Sequence, residues 1–384
     1  MKKILLSGMI ALLCLAACDS NHSFVQLFVT ISEKDIVHIC DSIVPDIVDS
    51  VFIIPLEETQ ECLLGDIRKI QRINNEFYVM AQGTSRLPEI FRFGHDGSFL
   101  NKIGNLGNSR GEYVRIGSFL VVNDKVYVAD LNKNKILVYN VNGEFIDYNE
   151  NNDNVKFIHD MIAINNNRAL FSYDINFSDN NALFDLVDLN SFKTLNTIST
   201  TYKSTGSFPY SMKEMNLQGE DLLLSLPFEN SIYKLDTARL ALDKVLSPAL
   251  WGNIPSFNSN DYDEIQRTLE ESETSLLCGF FVSGNKILLN SVQSSILWYT
   301  DLGKGLYWEN GINLDKIDTF PFFPLSVYFS DEDGFYSVFS ADDFMSIMKN
   351  ISSTEHKDNS PQNKNAPRQK YKNPVIVKYK IKSL

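Results

Sequence analysis

The sequence of 384 residues predicts an all-β fold, a six-bladed β-propeller closed by an N-terminal strand added to the last blade. Three observations predict it. A unit of alternating strands and tight turns recurs along the chain, and successive units are separated by 44 to 65 residues. The last unit lacks one strand, while an unmatched strand precedes the first unit. Repeats of about 40–50 residues with four strands each are typical of propeller blades.

The repeat is clearest between residues 66 and 148. Segments 75–80 and 124–129 alternate large and small side chains, as a β-strand does. Each leads through another alternating strand to a hairpin signal, Asp96-Gly97 or Asn142-Gly143. The second strand of the unit recurs six times along the chain, centred on Tyr78, Tyr127, Phe171, Leu223, Leu288 and Tyr336.

Closure of the ring is predicted from the two ends of the repeat. The sixth unit supplies strands at 325–330, 334–340 and 374–381, so its outermost strand is missing. Segment 50–56 has strand patterning and fits that edge, where it would cover exposed backbone groups. Pro55 suits an outer strand because one missing N–H is tolerated there. The propeller would then span 50–384, with a helical acidic insertion at 258–275 and a largely polar insertion at 341–373.

The N-terminus predicts export and a lipid anchor. Lys2 and Lys3 precede an apolar run over 4–15, which is too short to span a bilayer and is typical of a cleaved signal peptide, here residues 1–17. Leu15-Ala16-Ala17-Cys18 is similar to a bacterial lipobox. We therefore expect an acyl chain on Cys18 to hold the chain to a membrane of the cell envelope, on the periplasmic or surface side of the outer membrane. Residues 18–49 would form the tether and an N-terminal segment.

Charge restricts the partners of the chain. The formal net charge is −13, and loss of Lys2 and Lys3 with the signal peptide would leave about −15. This acidity argues against nucleic acid, which needs clustered Lys and Arg. It also argues against docking of the protein body on anionic lipid headgroups. The partners that we expect are the membrane, through the N-terminal lipid, and an envelope protein or a glycan.

Residues 49–148 carry features that resemble a known family. These are Ile54-Pro55-Leu56-Glu57, the segments 62–67 and 101–107, and Gly111-Glu112-Tyr113. They resemble the six-bladed β-propeller lipoproteins of Bacteroides and its relatives, which are similar to NHL-like and TolB-like propellers. In that family the last motif commonly reads Gly-Pro-Gly-Glu-Tyr, whereas Arg110 stands here in place of the proline. The resemblance implies the fold and the cell-envelope location, and it implies no particular activity.

Three functional interpretations remain open, one of which is a purely structural component of an outer-membrane complex. No serine-hydrolase elbow, zinc-protease helix or Walker loop is present, and we predict no cofactor, no metal site and no catalytic residue. The favoured interpretation is a binding or scaffold module without catalysis. The alternative is a hydrolase or lyase acting on carbohydrate through an acidic, metal-dependent funnel. Asp130, Asp174 and Asn290 end strands and could face such a funnel, or they could serve the loops.

Besides Cys18, which we expect to be acylated, three cysteines remain after the signal peptide, namely Cys40, Cys62 and Cys278. Because their number is odd, the sequence allows either one disulfide of unassigned pairing or free thiols.

A ligand face is predicted from the distribution of long loops. In a propeller the loops between second and third strands share a face with the blade-to-blade connections, and both are long in this chain. Function on a rigid scaffold is usually carried by such loops. Because Arg and Tyr are common contact residues, the candidates that we name are Arg86, Arg110, Glu112, Tyr113 and Arg115. The alternative is that the segment 104–113 only makes the crossover between two blades.

Overall fold

The computed structural model describes residues 28–39, 47–149, 155–173, 182–199, 214–226, 229–239, 241–255, 262–272, 274–291, 294–309, 327–355 and 372–383. Within them the strands form six separate sheets, each built from four consecutive strand positions of the repeat. The prediction of an all-β, six-bladed propeller is confirmed.

The first three blades each take their strands from one continuous stretch of chain. Their bounds are β4 (Ile67–Ile73), β5 (Glu76–Gln82), β6 (Pro88–Phe93) and β7 (Phe99–Ile103) in blade 1; β8 (Ile116–Val122), β9 (Lys125–Asp130), β10 (Lys135–Asn140) and β11 (Phe145–Asn149) in blade 2; and β12 (Ile158–Asn165), β13 (Arg168–Tyr173), β14 (Ala182–Asp188) and β15 (Thr194–Ser199) in blade 3.

The other three blades also use strands from the N-terminal part of the chain, β1 (Val29–Ile31), β2 (Ile36–His38) and β3 (Val48–Pro55). Their own strands are β16 (Met215–Gln218), β17 (Asp221–Ser225), β18 (Ile232–Asp236) and β19 (Ala241–Pro248) in blade 4; β20 (Leu277–Ser283), β21 (Lys286–Ser291), β22 (Ser294–Tyr299) and β23 (Lys304–Glu309) in blade 5; and β24 (Val327–Asp331), β25 (Gly334–Phe339) and β26 (Val375–Ile381) in blade 6.

The hydrophobic core lies between neighbouring blades. The first strand of each blade is the innermost, and β4 contacts both β8 of blade 2 and β24 of blade 6. Fully buried aromatic side chains fill the spaces between the sheets, for example Phe119 between blades 1 and 2 and Phe171 between blades 2 and 3. Each sheet thus buries its apolar faces only against the next sheet, as repeat architectures require.

The last blade is completed from the N-terminal side of the chain. Strand β3 pairs antiparallel with β26, with Pro55 opposite Val375 and Val48 opposite Ile381. Blade 6 therefore consists of β24, β25, β26 and β3 in that order. Strand β3 begins and ends slightly earlier than the predicted segment 50–56.

Two short strands precede β3 and extend blades 4 and 5. Strand β1 adds in parallel to β19, and β2 adds in parallel to β23, so each becomes a fifth strand on the outer edge. We call β1, β2 and β3 together the strap. Its residues Ile31 and Ile36 are buried in the core between blades 4 and 5, and Val48 is buried between blades 5 and 6 together with Ile47, which directly precedes β3. The sequence had assigned no strand to residues 28–39.

Two α-helices interrupt the repeat within the described residues. Helix α1 (Tyr262–Glu271) lies inside the predicted insertion at 258–275. Helix α2 (Ala341–Glu355) begins the insertion of blade 6, and Phe344, Ile347 and Ile351 bury its apolar side in the core between blades 5 and 6. Among the helices that the structure describes, none is long and apolar enough to cross a membrane.

Candidate functional site: a ring of bulge residues around the channel

The innermost strands share an irregularity at the same place in five blades. In blade 1, Ile67 pairs with Ala81 and Lys69 pairs with Met80, so Arg68 is an extra residue with no partner in the ladder. The same one-residue bulge occurs near the start of β8, β12, β20 and β24. A bulge bends its strand and redirects a side chain, and bulges are common next to functional sites.

The five bulge residues carry different chemistry. They are Arg68, Gly117, His159, Cys278 and Tyr328, in blades 1, 2, 3, 5 and 6 respectively. In blade 4 the corresponding place is taken by Glu214, directly before β16. We call these six residues the channel ring. The bulge itself recurs, whereas an arginine, a glycine, a histidine, a thiol and a phenol occupy it, and an acid stands at the corresponding place in blade 4. A backbone requirement alone does not account for that variety.

A cavity of about 540 Å³ opens within the channel ring. Five of the six ring residues line it, all except Cys278. Apolar side chains that lie one to three residues further along the inner strands also line it, including Ile70, Phe281 and Phe329. These three are buried. The cavity therefore has polar groups where the inner strands begin and apolar groups deeper in the channel, and its size falls within the range of small-molecule sites, roughly 300–1,000 Å³.

A largely buried cation, Lys69, connects three inner strands beside the cavity. The Lys69 ammonium of blade 1 reaches Ser118 Oγ at 3.0 Å and the Phe119 carbonyl at 2.6 Å, both in blade 2. In blade 3 it pairs with the Asp160 carboxylate and lies 2.9 Å from the Met161 carbonyl. Ser118 Oγ also donates to Asp160 at 3.1 Å. The charges of Lys69 and Asp160 thus compensate each other.

Tyr328 is a hydrogen-bond donor at the ring. Burial raises the pKa of its phenol well above the usual range, and the nearby Asp160 carboxylate adds to that rise while Arg68 opposes it. The hydroxyl therefore stays protonated at neutral pH, and it donates to the Ile67 carbonyl at 3.0 Å. Removal of the phenol proton would require a strong base, so Tyr328 is suited to orienting a ligand and not to acting as a general base.

Arg68 and His159 differ from the other charged groups of the channel. Both side chains are exposed in the cavity, and within the described residues neither has an ion pair or a side-chain hydrogen bond. Arg72 and Arg92, by contrast, are paired with acids. Among the described residues no group of three or more His, Cys, Asp or Glu is arranged to hold a metal ion. The site as described offers cation-capable groups, one carboxylate at Glu214 and an aromatic side chain.

The five residues predicted for the ligand face lie elsewhere. Arg86 is exposed in the loop between β5 and β6, and Arg110 is exposed over the Tyr148 ring at 5.4 Å. Arg115 is exposed, and Glu112 accepts a hydrogen bond from the Ser109 N–H at 2.9 Å. Tyr113 is fully buried and donates to the Ile103 carbonyl, so its side chain belongs to the core between blades 1 and 2. None of the five lines the described cavity.

The residues suggested for the channel also have other surroundings. Asp130 is fully buried at the end of β9, where its carboxylate accepts hydrogen bonds from the N–H groups of Val114, Asn132 and Lys133. It stabilises loops and does not face the cavity. Asn290 accepts from Ser295 Oγ, and Asp174 lies outside the described residues. Cys62 and Cys278 are free thiols, while Cys40 and Cys18 lie outside the described residues.

The channel ring was not identified from the sequence, although a signal for it exists. In the five bulged blades an aliphatic residue precedes the ring position: Ile67, Ile116, Ile158, Leu277 and Val327. This residue pairs normally with the second strand, and the variable ring residue follows it. Aligning the first strands of the repeat in this way would have grouped the ring residues.

Comparisons with known proteins place the chain in a family. The profile described as a domain of unknown function, DUF4934, matches residues 41–380. A crystal structure of a Bacteroides fragilis protein whose name describes it as exported has 16% identity and a TM-score of 0.67, over 88% of this chain and 96% of that one. A DUF4221 protein from Bacteroides vulgatus has 11% identity and a TM-score of 0.55, over 88% and 98%. No curated protein matches the chain.

These likenesses support the fold and the family together. Both solved structures come from Bacteroides and align with 88% of this chain. Because their sequence identities are low, they support a shared architecture only. The predicted resemblance to Bacteroides-type six-bladed propellers is confirmed. The profile match extends over most of the sequence, and the chain therefore belongs to the DUF4934 family.

Proposed function

We propose that this protein is a lipid-anchored propeller of the bacterial cell envelope that binds a protein or glycan partner without transforming it. The observation that carries the binding role is the channel ring, where four blades direct different polar side chains, Arg68, His159, Glu214 and Tyr328, towards one cavity of about 540 Å³. Export is supported by the signal-like N-terminus and agrees with the name of the B. fragilis relative. Anchoring is supported by the lipobox-like Leu15-Ala16-Ala17-Cys18.

The strap suggests how the anchor and the propeller are connected. Strand β1 starts at Val29 on the outer edge of blade 4, eleven residues after Cys18. At about 3.5 Å per extended residue, the tether would keep that edge within roughly 40 Å of the lipid. A partner of the channel ring would then be found close to the same membrane surface.

The cavity favours binding over the catalytic alternative. The Asp160 carboxylate is neutralised by Lys69, and the phenol of Tyr328 is protonated and donates to a backbone carbonyl. Glu214 is the remaining acid among the described lining residues. A pair of uncompensated carboxylates, which a glycosidase-type mechanism would need, is not present among them. Recognition requires only the groups that the ring presents.

The binding role can be tested with two matched pairs of substitutions. The chain from Asp19 onward would be screened against envelope glycans and against extracts of the native envelope, as wild type, as Arg68→Ala/His159→Ala, and as Arg86→Ala/Arg110→Ala. We expect the ring variant to lose binding and the loop variant to keep it. If only the loop variant loses binding, the binding site lies on the long loops and not at the channel ring. A wild-type chain that retains no ligand would contradict the proposal.

The anchor is tested separately in cells. We expect labelled palmitate to be incorporated into the wild-type chain and not into Cys18→Ser, while both are exported. Protease treatment of intact cells then distinguishes surface display, in which the propeller is cleaved, from a periplasmic location, in which it is protected. Equal labelling of the two chains would contradict lipidation at Cys18.

A further inference from the structure

We infer that the channel ring binds an acidic sugar, with Arg68 and His159 holding its carboxylate; this rests on the proposed binding function and names its ligand class. The argument starts from charge. The chain has 48 acidic and 35 basic residues, so a cation without an ion pair inside a cavity is not expected from composition. Arg68 is such a cation among the described residues, because Asp160 is already paired with Lys69.

The ring leaves room for an acid between Arg68 and His159. These residues belong to blades 1 and 3, and the ring position of blade 2 is Gly117, which contributes no side chain. A Cβ at Gly117 would lie 2.5 Å from Leu131 Cδ2 and 3.0 Å from the Ile158 carbonyl oxygen, so even an alanine there would force Leu131 to move. A guanidinium supports paired hydrogen bonds to a carboxylate, and an imidazole adds a further donor.

The remaining ring residues favour a ligand that also carries hydroxyl groups. Glu214 lies in blade 4, across the channel from Arg68 in blade 1, and its carboxylate can accept hydrogen bonds from sugar hydroxyls. Tyr328 and the largely buried Phe329 add aromatic side chains to the lining. A carboxylate together with several hydroxyls matches these groups better than an acidic peptide does.

The volume limits the size of the ligand. A cavity of about 540 Å³ lies within the range that encloses a small ligand. We therefore expect about one or two sugar units to enter the ring. The conclusion is a site for the acidic end of a glycan, or for a free sugar acid of that size.

Calorimetric titration of the chain from Asp19 onward tests the ligand class with three defined probes. The probes are digalacturonic acid, the neutral disaccharide galactobiose, and an Asp-containing dipeptide. We expect the acidic disaccharide to bind at least tenfold more tightly than either other probe. Arg68→Gln should weaken that binding at least tenfold, Arg68→Lys should restore part of it, and Arg86→Gln should leave it unchanged. Because Arg68 is exposed, its variants should melt at the temperature of the wild type.

Other outcomes would overturn the inference. Equal affinity for the acidic and neutral disaccharides, tighter binding of the dipeptide, or no effect of Arg68→Gln would each contradict an acidic-sugar site. If no probe binds but the envelope screen yields a ligand that depends on Arg68 and His159, the ligand class is wrong and the binding function stands. If no ligand is found in either experiment, the binding function itself fails.

Discussion

The Lys69 ammonium in blade 1 pairs with the Asp160 carboxylate in blade 3, across the inner strand of the blade between them. Side-chain exposures are 12% for Lys69 and 18% for Asp160, so the pair is largely shielded from water. The contact joins residues 91 positions apart in the chain. It places a structural ion pair directly beside the ring residues Arg68 and His159, each of which neighbours one of the partners in sequence.

Replacement of Lys69 by methionine should therefore destabilise the propeller. Asp160 would keep its charge without the compensating ammonium, and breaking one side of a largely buried pair costs about 2–4 kcal/mol. Urea unfolding measures the loss, with the exposed Lys125→Met as the control. The double variant Lys69→Met/Asp160→Leu should recover part of the stability because no unpaired charge remains. A loss below about 0.5 kcal/mol in the single variant would show that the pair is not a stabilising contact.

The blades were predictable from the sequence because their second strands alternate regularly and end in recognisable turns. Tyr78, Tyr127 and Tyr336 repeat at that position, and Asp96-Gly97 and Asn142-Gly143 mark hairpins. The channel ring was not predictable by the same reasoning. A bulge adds one residue and reverses the alternation, so the ring residues fall out of the pattern used to find strands.

Two other features were hidden for different physical reasons. Strands β1 and β2 have three residues each, too few to show a period, and their partners lie more than 200 residues away. Tyr113 follows an exposed glycine-containing loop, which suggested a contact residue. In the fold its ring fills the space between blades 1 and 2, at 6.3 Å and nearly perpendicular to Tyr139. The burial of a loop aromatic depends on the neighbouring blade, which local sequence does not reveal.

Gly117→Ala tests the packing of the bulge in blade 2. The new Cβ would be 2.5 Å from Leu131 Cδ2, and overpacking of this kind costs about 1–3 kcal/mol. Leu131→Ala removes the clashing atoms, so the double variant should be more stable than the sum of the two single effects predicts. Thermal unfolding of the wild type, the two single variants and the double variant measures this coupling. Strict additivity would mean that the clash with Leu131 is not the source of the loss.

Ile31→Ala tests the strap. Ile31 is fully buried in the core between blades 4 and 5, together with Trp251 and Leu246. Removal of a buried isoleucine side chain beyond Cβ costs about 2–5 kcal/mol. Val37, in the neighbouring strand β2, is 60% exposed and serves as the control. Chemical denaturation should show a large loss for Ile31→Ala and less than about 0.5 kcal/mol for Val37→Ala. Similar losses of stability in the two variants would indicate that the strap does not stabilise the interface between blades 4 and 5.

Asp333→Asn tests the contact between blades 6 and 1, because its effect on stability should depend on pH. The Arg72 guanidinium donates to Asp333 at 2.8 Å and holds the pKa of that carboxyl below its ordinary value of 3.8. A lowered pKa means that the unfolded chain takes up the proton first as the pH falls. The stabilisation is therefore present above about pH 4 and is lost below it.

The measurement compares the two chains between pH 3 and pH 7. Asp333 is 53% exposed and Asp331 also pairs with Arg72, so we expect the wild type to be more stable at pH 7 by no more than about 1 kcal/mol. The difference should shrink towards zero as the pH approaches 3. A difference that grows on acidification would contradict the assignment of Asp333 as a partner of Arg72.

Thiol labelling tests the position of Cys278 in the channel ring. Cys278 is half-buried at the bulge of blade 5, whereas Cys62 is fully buried next to Asn373, and burial raises the pKa of its thiol to about 12. Because only the thiolate reacts, Cys62 should be inert to a maleimide at pH 8 in the folded protein. The measurement uses the Cys40→Ser variant, and mass spectrometry counts the labels. We expect one rapid label on Cys278, which should be absent when Cys278→Ser is added. A second label, on Cys62, should appear only after unfolding. Equal reactivity of both thiols in the folded chain would place Cys278 away from the open channel.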